Sequence, residues 1–231
     1  MTHEHHPARM PGVATLLRGG GTMTEGRRDR KKRERREEIS EAAWSLFAER
    51  GFDAVMLTEI ALAADVGTSV VFDYFPSREA LFFDRIAELS GSPDDAVRAR
   101  EPGESVVAAF RRWHDTTVAF LSDTRSAPRA RRFFEIVDSS PSLQSYERAL
   151  DREYRDAITA SLTESAGRDE ADLPALLAAQ LTGIHRYVVD LARSMILAGD
   201  EPRAMRKRLA AATTQGFGLL SERALAWGAR A

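Results

Sequence analysis

The chain has 231 residues, 43% of them hydrophobic and 29% charged, a composition that excludes a disordered protein and allows one large or two modest globular domains. It has no cysteine, which excludes disulfide scaffolds, cysteine-ligated zinc and thiol nucleophiles. The formal net charge is -2, and neither an apolar run of 18 residues nor a secretory signal pattern occurs, so we expect a soluble cytoplasmic protein without membrane contact.

Two segments precede the first amphipathic helix. Residues 1–26 contain a glycine triplet and two prolines without a hydrophobic period, which predicts a disordered leader. Residues 27–36, RRDRKKRERR, hold eight basic and two acidic residues, a local excess of +6. This basic arm fits either a solvated, partly helical charge run or a contact with the DNA backbone, for which Arg33 and Arg36 are candidates.

Two short helices are predicted after the basic arm. The first carries apolar residues at helical spacing, namely Ile39, Ala43, Leu46 and Phe47. Gly51 is expected to end this helix in the left-handed conformation, with Phe52 folded back on the final turn. The same spacing predicts a second, shorter helix with Leu57, Ile60, Ala61 and Ala64.

A third helix is predicted from about Thr68 to Phe75, after a three-residue turn at 65–67. Pro76 ends it, because proline lacks the N–H group and restricts the residue before it, and Ser77 then caps a fourth helix. Two helices joined by such a turn can place one of them in the DNA major groove. We expect the side chains of this helix to divide between two sides. Those that pack back on the first two helices are Val66, Val71, Phe72 and Phe75. Those that face outward are Thr68, Ser69, Asp73 and Tyr74.

The stretch EISEAAWSLFAERGFDAVMLTEIALAADVGTSVVFDYFPSREAL, residues 38–81, resembles the DNA-binding domain of the tetracycline-repressor (TetR) family of bacterial regulators. The matching features are AAWSLFAERGFDA, EIA with AADV, the aromatic-x-Tyr-Phe end of the third helix and the PS-basic-EAL start of the fourth. The resemblance implies an all-α homodimeric regulator, usually a repressor, that binds an effector in a variable helical C-terminal domain. The implied domains are residues 27–86 for DNA binding, including the basic arm, and 87–231 for effector binding and dimerisation.

This sequence departs from the family pattern at several positions of that domain. Met56 stands where a Thr commonly caps the second helix, Asp65 replaces the usual Gly of the turn, and Phe72 replaces a frequent Tyr that reaches a phosphate. Residues 27–86 hold 11 basic and 12 acidic residues, which is not the basic balance typical of a DNA-binding domain. Asp73 either accepts a hydrogen bond from cytosine N4 or points to solvent.

The remaining DNA contacts are predicted from position and from the resemblance. Thr68 and Ser69 lie at the amino end of the third helix, where free N–H groups and a positive dipole attract phosphate. Thr58, early in the second helix, can reach the opposite backbone, and Tyr74 and Arg78 resemble phosphate contacts of the family. The complete predicted DNA-binding set is Arg33, Arg36, Thr58, Thr68, Ser69, Val70, Asp73, Tyr74 and Arg78.

Five further helices are predicted near residues 104–123, 127–138, 142–165, 172–198 and 203–226. The last two carry apolar or small residues at bundle spacing, and Ala212 and Gly216 would let two helices approach closely. By resemblance these stripes form the dimer interface, whereas the alternative is that both are internal core. The interface set is Leu181, Ile184, Val188, Leu191, Met195, Leu209, Ala212, Gly216 and Leu219.

An effector pocket is expected among the middle helices, which are rich in aromatic residues. The candidates are Trp113, His114, Phe120, Phe133, Phe134, Tyr146, Tyr154 and His185, and the alternative for each is a place in the core. His114 and His185 have no carboxylate or thiol set at a ligating spacing, so we expect neither a metal site nor a cofactor.

No catalytic motif accompanies these features. A phosphate-binding glycine loop, HExxH, G-x-S-x-G and a recognisable acid pair are all missing from the sequence, so we do not expect an enzyme. A second possibility is a helical adaptor that kept the helix-turn-helix shape but lost specific DNA binding, and Asp65, Phe72 and Asp73 favour it to some degree. The sequence names neither the effector nor the operator.

Overall fold

The fold is all-α in the part of the chain that the structure, a computed structural model, describes: residues 26–164 and 171–227, without the side chains of 85–90. No strand occurs in these ranges. The helices there are α1 (Arg27–Arg50), α2 (Leu57–Ala63), α3 (Thr68–Tyr74), α4 (Arg78–Ser90), α5 (Pro93–Arg98), α6 (Val106–Leu121), α7 (Ala127–Ser139), α8 (Pro141–Thr163), α9 (Leu173–Ala198), α10 (Pro202–Gly218) and α11 (Glu222–Ala226). The predicted leader lies outside the described residues except for Gly26, the N-cap of α1.

Helix α1 begins earlier than the apolar periodicity predicted. It starts at Arg27, so the basic arm is not a separate segment but the first turns of α1. Residues 27–35 are all exposed, and the buried stripe begins at Ile39. Gly51 follows the helix with a φ of 81°, and its N–H donates to the Phe47 carbonyl at 2.9 Å. Phe52 folds back as predicted, with its ring centroid 5.1 Å from that of Phe47.

The turn between α2 and α3 requires a left-handed residue. Asp65 supplies it with a φ of 51°, at the position where the family pattern has Gly. Helix α3 ends at Tyr74, one residue earlier than predicted, because Phe75 before Pro76 takes an extended conformation. Ser77 caps α4 as predicted, since its Oγ accepts from the Ala80 N–H at 3.0 Å.

The C-terminal part contains two helices that the periodicity did not predict. Helix α5 is only six residues long and is started by Ser92 and Pro93, where the Ser92 side chain accepts from the Asp94 N–H at 3.2 Å. The segment predicted as one helix over 203–226 breaks at 219–221, and Ser221 caps the short α11. Both helices are too short for a hydrophobic period to reveal them.

Two hydrophobic cores hold the helices together. The first joins α1–α4 to α7, α9 and α10, and the second joins α5, α6 and α8 to α9, α10 and α11. The rings of Phe82 on α4 and Phe133 on α7 stack with centroids 4.8 Å apart. The helix-turn-helix segment and the C-terminal helices therefore share one core through α4. None of the described helices is both long and apolar enough to cross a membrane.

Candidate nucleic-acid interface and effector cluster

Helix α3 has polar and apolar side chains on its outer face, and two residues of its inner face are buried in the core. Val71 and Phe75 are buried, at 0% and 1% exposure, as predicted. Ser69 and Asp73 are exposed, and Thr68 and Tyr74 are half-buried. The prediction for Phe72 is wrong: it is 56% exposed, because it lies beyond the arc of α3 that Val71 and Phe75 turn inward.

Val70 and Thr58 complete the predicted contacts of the helix-turn-helix segment. Val70 is half-buried and packs against the first core, so only part of its side chain faces outward. Thr58 lies exposed in the first turn of α2. The missing Thr cap at Met56 is replaced by Glu59, whose carboxylate accepts from the Met56 N–H at 2.8 Å. Arg50 donates to Glu59 at 2.7 Å, and this hydrogen bond lowers the pKa of the glutamate.

Arg36 and Arg78, both predicted to contact DNA, have internal partners that the sequence did not reveal. Arg36 pairs with the buried Asp84 of α4, donates to the Tyr74 carbonyl at 3.1 Å and lies over the Phe75 ring at 4.5 Å. Its side chain is 19% exposed.

Arg78 also contacts residues within the helix-turn-helix segment. Its guanidinium donates to the Val55 carbonyl and lies over the Phe52 ring at 4.2 Å. Both arginines therefore brace the helix-turn-helix segment, and the positive charge that faces outward lies mainly on the first turns of α1.

Those first turns form a charged helical surface. Ion pairs one turn apart occur within it, including Arg30 with Glu34 at 3.7 Å and Arg33 with Glu37 at 3.5 Å. Such exposed pairs contribute little to stability, so they leave the arginines available to exchange partners. Lys31 and Lys32 are exposed on the same turns.

The predicted effector residues divide into two separate groups. Phe133, Phe134 and Tyr146 lie at the junction of α4, α7 and α8, where Phe83 stacks on Tyr146 with centroids 5.4 Å apart. Phe120 is half-buried and packs against the same first core. These four residues are part of the packing between helices. The second group consists of Trp113, His114, Tyr154 and His185 and lies at the second core.

The two histidines of the second group face each other across α6 and α9. Nδ1 of His114 lies 3.0 Å from Nδ1 of His185, and Nε2 of His114 lies 3.0 Å from Oγ1 of Thr213. Burial lowers the pKa of His114 to about 4 and that of His185 to about 3. Both imidazoles are therefore neutral near pH 7 and form a chain of hydrogen bonds that ends on α10.

Trp113 is the centre of this second group. Its ring centroid lies 4.4 Å from that of His185 and 6.2 Å from that of Tyr154. Its indole N–H donates to the Gly91 carbonyl, directly after α4, at 3.0 Å. In the described ranges, no group of three or more His, Cys, Asp or Glu residues is arranged to hold a metal ion.

Of the nine residues predicted as the dimer interface, four are buried inside the protomer. Leu181, Val188 and Leu209 are 0% exposed and Ala212 is 5% exposed. Ile184, Leu191, Met195 and Gly216 are half-buried, and only Leu219 is prominently exposed, at 85%. The four buried residues are internal core, because α9 and α10 of one chain pack against each other. For the other five, a place in a dimer interface stays a prediction.

The close approach predicted at Gly216 is present, but it joins α9 and α10 of the same chain. A Cβ atom at position 216 would lie 2.8 Å from Cγ2 of Ile184. Other positions on α9 and directly after α10 are exposed. They are Leu176, which is 58% exposed, Leu219, and Gly183, where a Cβ atom would meet nothing within 4 Å.

Comparison with known proteins agrees with this architecture. Residues 39–84 match the family model for bacterial regulatory proteins of the tetR family. A Mycobacterium tuberculosis protein, MftR, whose name assigns it to transcriptional regulation of mycofactocin biosynthesis, is 25% identical over 154 residues, which are 63% of this chain and 73% of that protein.

Solved structures show the same fold. NalD, described as the secondary repressor of the MexAB-OprM multidrug efflux pump in Pseudomonas aeruginosa, has a TM-score of 0.50 and 18% identity over 80% of this chain and 97% of NalD. SmeT in complex with triclosan has a TM-score of 0.53 and 19% identity over 84% of this chain and 96% of SmeT. The fold derived from the sequence is thus confirmed.

Proposed function

Because the chain belongs to the tetR family of bacterial regulatory proteins, we propose that it is a ligand-responsive repressor that binds a two-half-site operator as a cytoplasmic homodimer and has no enzymatic activity. The observation that carries this proposal is the division of α3 into a buried and an exposed side. Its inner residues Val71 and Phe75 are clamped in the core, while Ser69, Phe72 and Asp73 are exposed together on a helix of the right position to enter a major groove.

The proposed DNA contacts fall into two classes. Thr58, Thr68 and Tyr74 are placed to bind phosphates, and the exposed turns of α1 add focused positive charge to a domain with no net basic excess. Ser69 and Asp73 are placed to reach base edges, where a carboxylate accepts from cytosine N4.

The homodimer is proposed through the open face of α9 and α10. Leu176 in the first turn of α9 and Leu219 directly after α10 expose large apolar surfaces, and Gly183 leaves room for a partner helix to approach. This face shares Leu219 with the stripe predicted from the sequence. A dimer is needed because two recognition helices then read two half-sites about one DNA turn apart.

A small-molecule effector is proposed on the aromatic second core. SmeT, which shares the fold, has been solved with triclosan bound. In this chain Trp113 connects that core to the end of α4 through its hydrogen bond to Gly91, so a ligand there can bias the position of α4.

A helical adaptor without specific DNA binding is the second candidate. Two features favour an adaptor, because each lowers the positive charge available for phosphates. Arg36 and Arg78 have partners inside the protein, and Asp73 exposes a carboxylate on α3. An adaptor should show no sequence-selective, salt-dependent binding to any duplex.

The deciding experiment measures binding of the full chain to DNA flanking its own gene and to duplexes selected from a random library. A regulator shifts a selected duplex with a steep salt dependence. Replacing Lys31 and Lys32 by Ala should weaken binding to all sequences and reduce the salt slope by about 1 per lost phosphate contact. Lys207→Ala, an exposed lysine on α10, is the matched control.

A second variant of the same set tests base reading. Asp73→Ala should change which duplexes are selected while leaving the salt slope unchanged, since it removes a base-edge acceptor and no phosphate contact. An unchanged preference would remove the role of Asp73 in reading bases. Absence of any selected duplex would favour the adaptor.

A further inference from the structure

The cluster around Trp113 contains two polar atoms that the protein does not use. Nε2 of His185 and the hydroxyl of Tyr154 have no hydrogen-bond partner among the described residues, although both side chains are half-buried. Neither is a buried unpaired atom, so both are accessible at the edge of the aromatic cluster. Polar atoms that protein leaves unpaired beside aromatic side chains are the usual orienting groups of small-molecule sites.

The histidine chain makes Nε2 of His185 a well-defined group. His114 is fully buried and uses both nitrogens, one toward His185 and the other toward Thr213. If His114 donates from Nδ1, His185 carries its proton on Nε2 and is a donor there. In the opposite arrangement Nε2 is an acceptor. The Thr213 hydroxyl can donate or accept, so both arrangements are possible, and Nε2 of His185 can bind either a hydrogen-bond acceptor or a donor.

Tyr154 presents a hydroxyl of the same versatility. Its ring stands at 77° to that of Trp113, and burial raises its pKa to about 12, which keeps the hydroxyl protonated at neutral pH. A protonated phenol both donates and accepts. Trp113 thus has a neutral hydrogen-bonding group on each of two neighbouring rings.

The charge of the cluster restricts what it can bind. Both histidines are neutral, and Arg186 next to His185 is engaged by Glu147 at 3.4 Å, Asp151 at 3.1 Å and Asp190 at 2.9 Å. Arg186 is therefore held by carboxylates and offers no free positive charge to an anionic ligand. Because an isolated ion loses its hydration without compensation in such a place, the cluster disfavours charged ligands.

We propose that this cluster binds an uncharged planar aromatic molecule with a hydroxyl group, the ring against the aromatic side chains around Trp113 and the hydroxyl hydrogen-bonded to His185 and Tyr154. The inference rests on the proposed regulatory function and gives the chemical class of its effector. Trp113 is 6% exposed and donates to the Gly91 carbonyl directly after α4, so binding of a ring against it would act on the helix that follows α3.

The test uses the full-length chain and a matched pair of probes. Isothermal titration calorimetry at pH 7 compares 2-naphthol, which is neutral, with 2-naphthoate, which has the same ring system and a negative charge. The variants are Tyr154→Phe, which keeps the ring and removes only the hydroxyl, and His185→Phe, which keeps a ring and removes Nε2 together with the Nδ1 partner of His114. Tyr187→Phe, an exposed tyrosine on α9, is the control. Circular dichroism establishes that each variant is folded.

The expected result is that 2-naphthol binds and 2-naphthoate binds at least about ten-fold more weakly, with each site variant losing about five-fold in affinity for 2-naphthol, the effect of one neutral hydrogen bond. Tyr187→Phe should bind as the unmodified chain does. Equal binding of both probes, no binding of 2-naphthol, or unchanged affinity in the folded Tyr154→Phe variant would overturn the inference. Binding of a selected DNA duplex, measured in parallel, reports on the regulatory function separately.

Discussion

The contact between Gly216 and Ile184 gives the sharpest stability prediction. A Cβ atom at position 216 would lie 2.8 Å from Cγ2 and 3.3 Å from Cγ1 of Ile184. To reach an ordinary carbon separation of about 3.5 Å, α9 and α10 must move apart by about 0.7 Å at this point. Overpacking of this kind costs about 1–3 kcal/mol, and the higher helix propensity of Ala returns about 1 kcal/mol.

We therefore expect Gly216→Ala to lower the free energy of unfolding by up to about 2 kcal/mol. Ile184→Ala removes both clashing atoms, so Gly216→Ala in that background should instead be neutral or stabilising by up to about 1 kcal/mol. Gly218→Ala, whose Cβ would meet nothing within 4 Å, is the control and should not destabilise.

Urea unfolding followed by far-ultraviolet circular dichroism, at one fixed protein concentration, measures the unmodified chain and the four variants. If Gly216→Ala has the same effect with and without Ile184, the close approach of α9 and α10 is not what selects glycine here. The contact also matters for the effector site, because Thr213 lies one turn before Gly216 and holds His114 at 3.0 Å. Gly216→Ala should thus also weaken 2-naphthol binding.

Three further predictions follow from single contacts. Trp113→Phe keeps a ring but removes the hydrogen bond to the Gly91 carbonyl, so it should lower the free energy of unfolding by about 1 kcal/mol. It should also reduce the amount of DNA that 2-naphthol releases, and an unchanged release would mean that this hydrogen bond does not couple the ligand to DNA binding. The pKa values of His114 and His185 are lowered in the folded chain to about 4 and about 3, whereas the histidine pKa in the unfolded chain is about 6.5. The unfolded chain therefore binds more protons as the pH falls, so the free energy of unfolding should decrease between pH 6.5 and 5.5 by up to about 1 kcal/mol for each histidine. In urea unfolding, His185→Phe should make this pH dependence weaker. Asp65→Val should destabilise by about 1–2 kcal/mol because a β-branched residue is strained at a φ of 51°, whereas Asp65→Gly should not, and equal midpoints for the two would contradict that reasoning.

Much of the DNA-binding half was predictable because its signals are local. The helix boundaries near Gly51, Pro76 and Ser77 depend on the conformational limits of one residue and its neighbours. The same reasoning missed the outward position of Phe72, since hydrophobicity alone does not say which of two adjacent apolar residues faces the core.

Side-chain partners far apart in the sequence were not predictable in this way. Arg36 and Asp84 are 48 positions apart, and His114 and His185 are 71 apart, so no spacing rule relates them. The stripes on α9 and α10 were correctly identified as apolar seams, but a seam of period 3.6 has the same pattern whether its partner helix belongs to the same chain or to another. The packing of α9 on α10 accounts for the buried residues of the stripes, and the oligomeric state is a separate measurement.

The two cores suggest how the proposed regulator passes a signal to DNA. Phe82 of α4 stacks on Phe133 of α7 inside the first core, so the start of α4 cannot shift without moving α7. Directly after α4, the Gly91 carbonyl accepts a hydrogen bond from Trp113 of the second core. A packed core resists small continuous displacements, whereas a hydrogen bond can be exchanged. A ligand at Trp113 would therefore act on α4 from its Gly91 end. Since Arg36 ties α4 to the end of α3 through Asp84 and the Tyr74 carbonyl, rotation of α4 about its fixed start changes the direction in which α3 points.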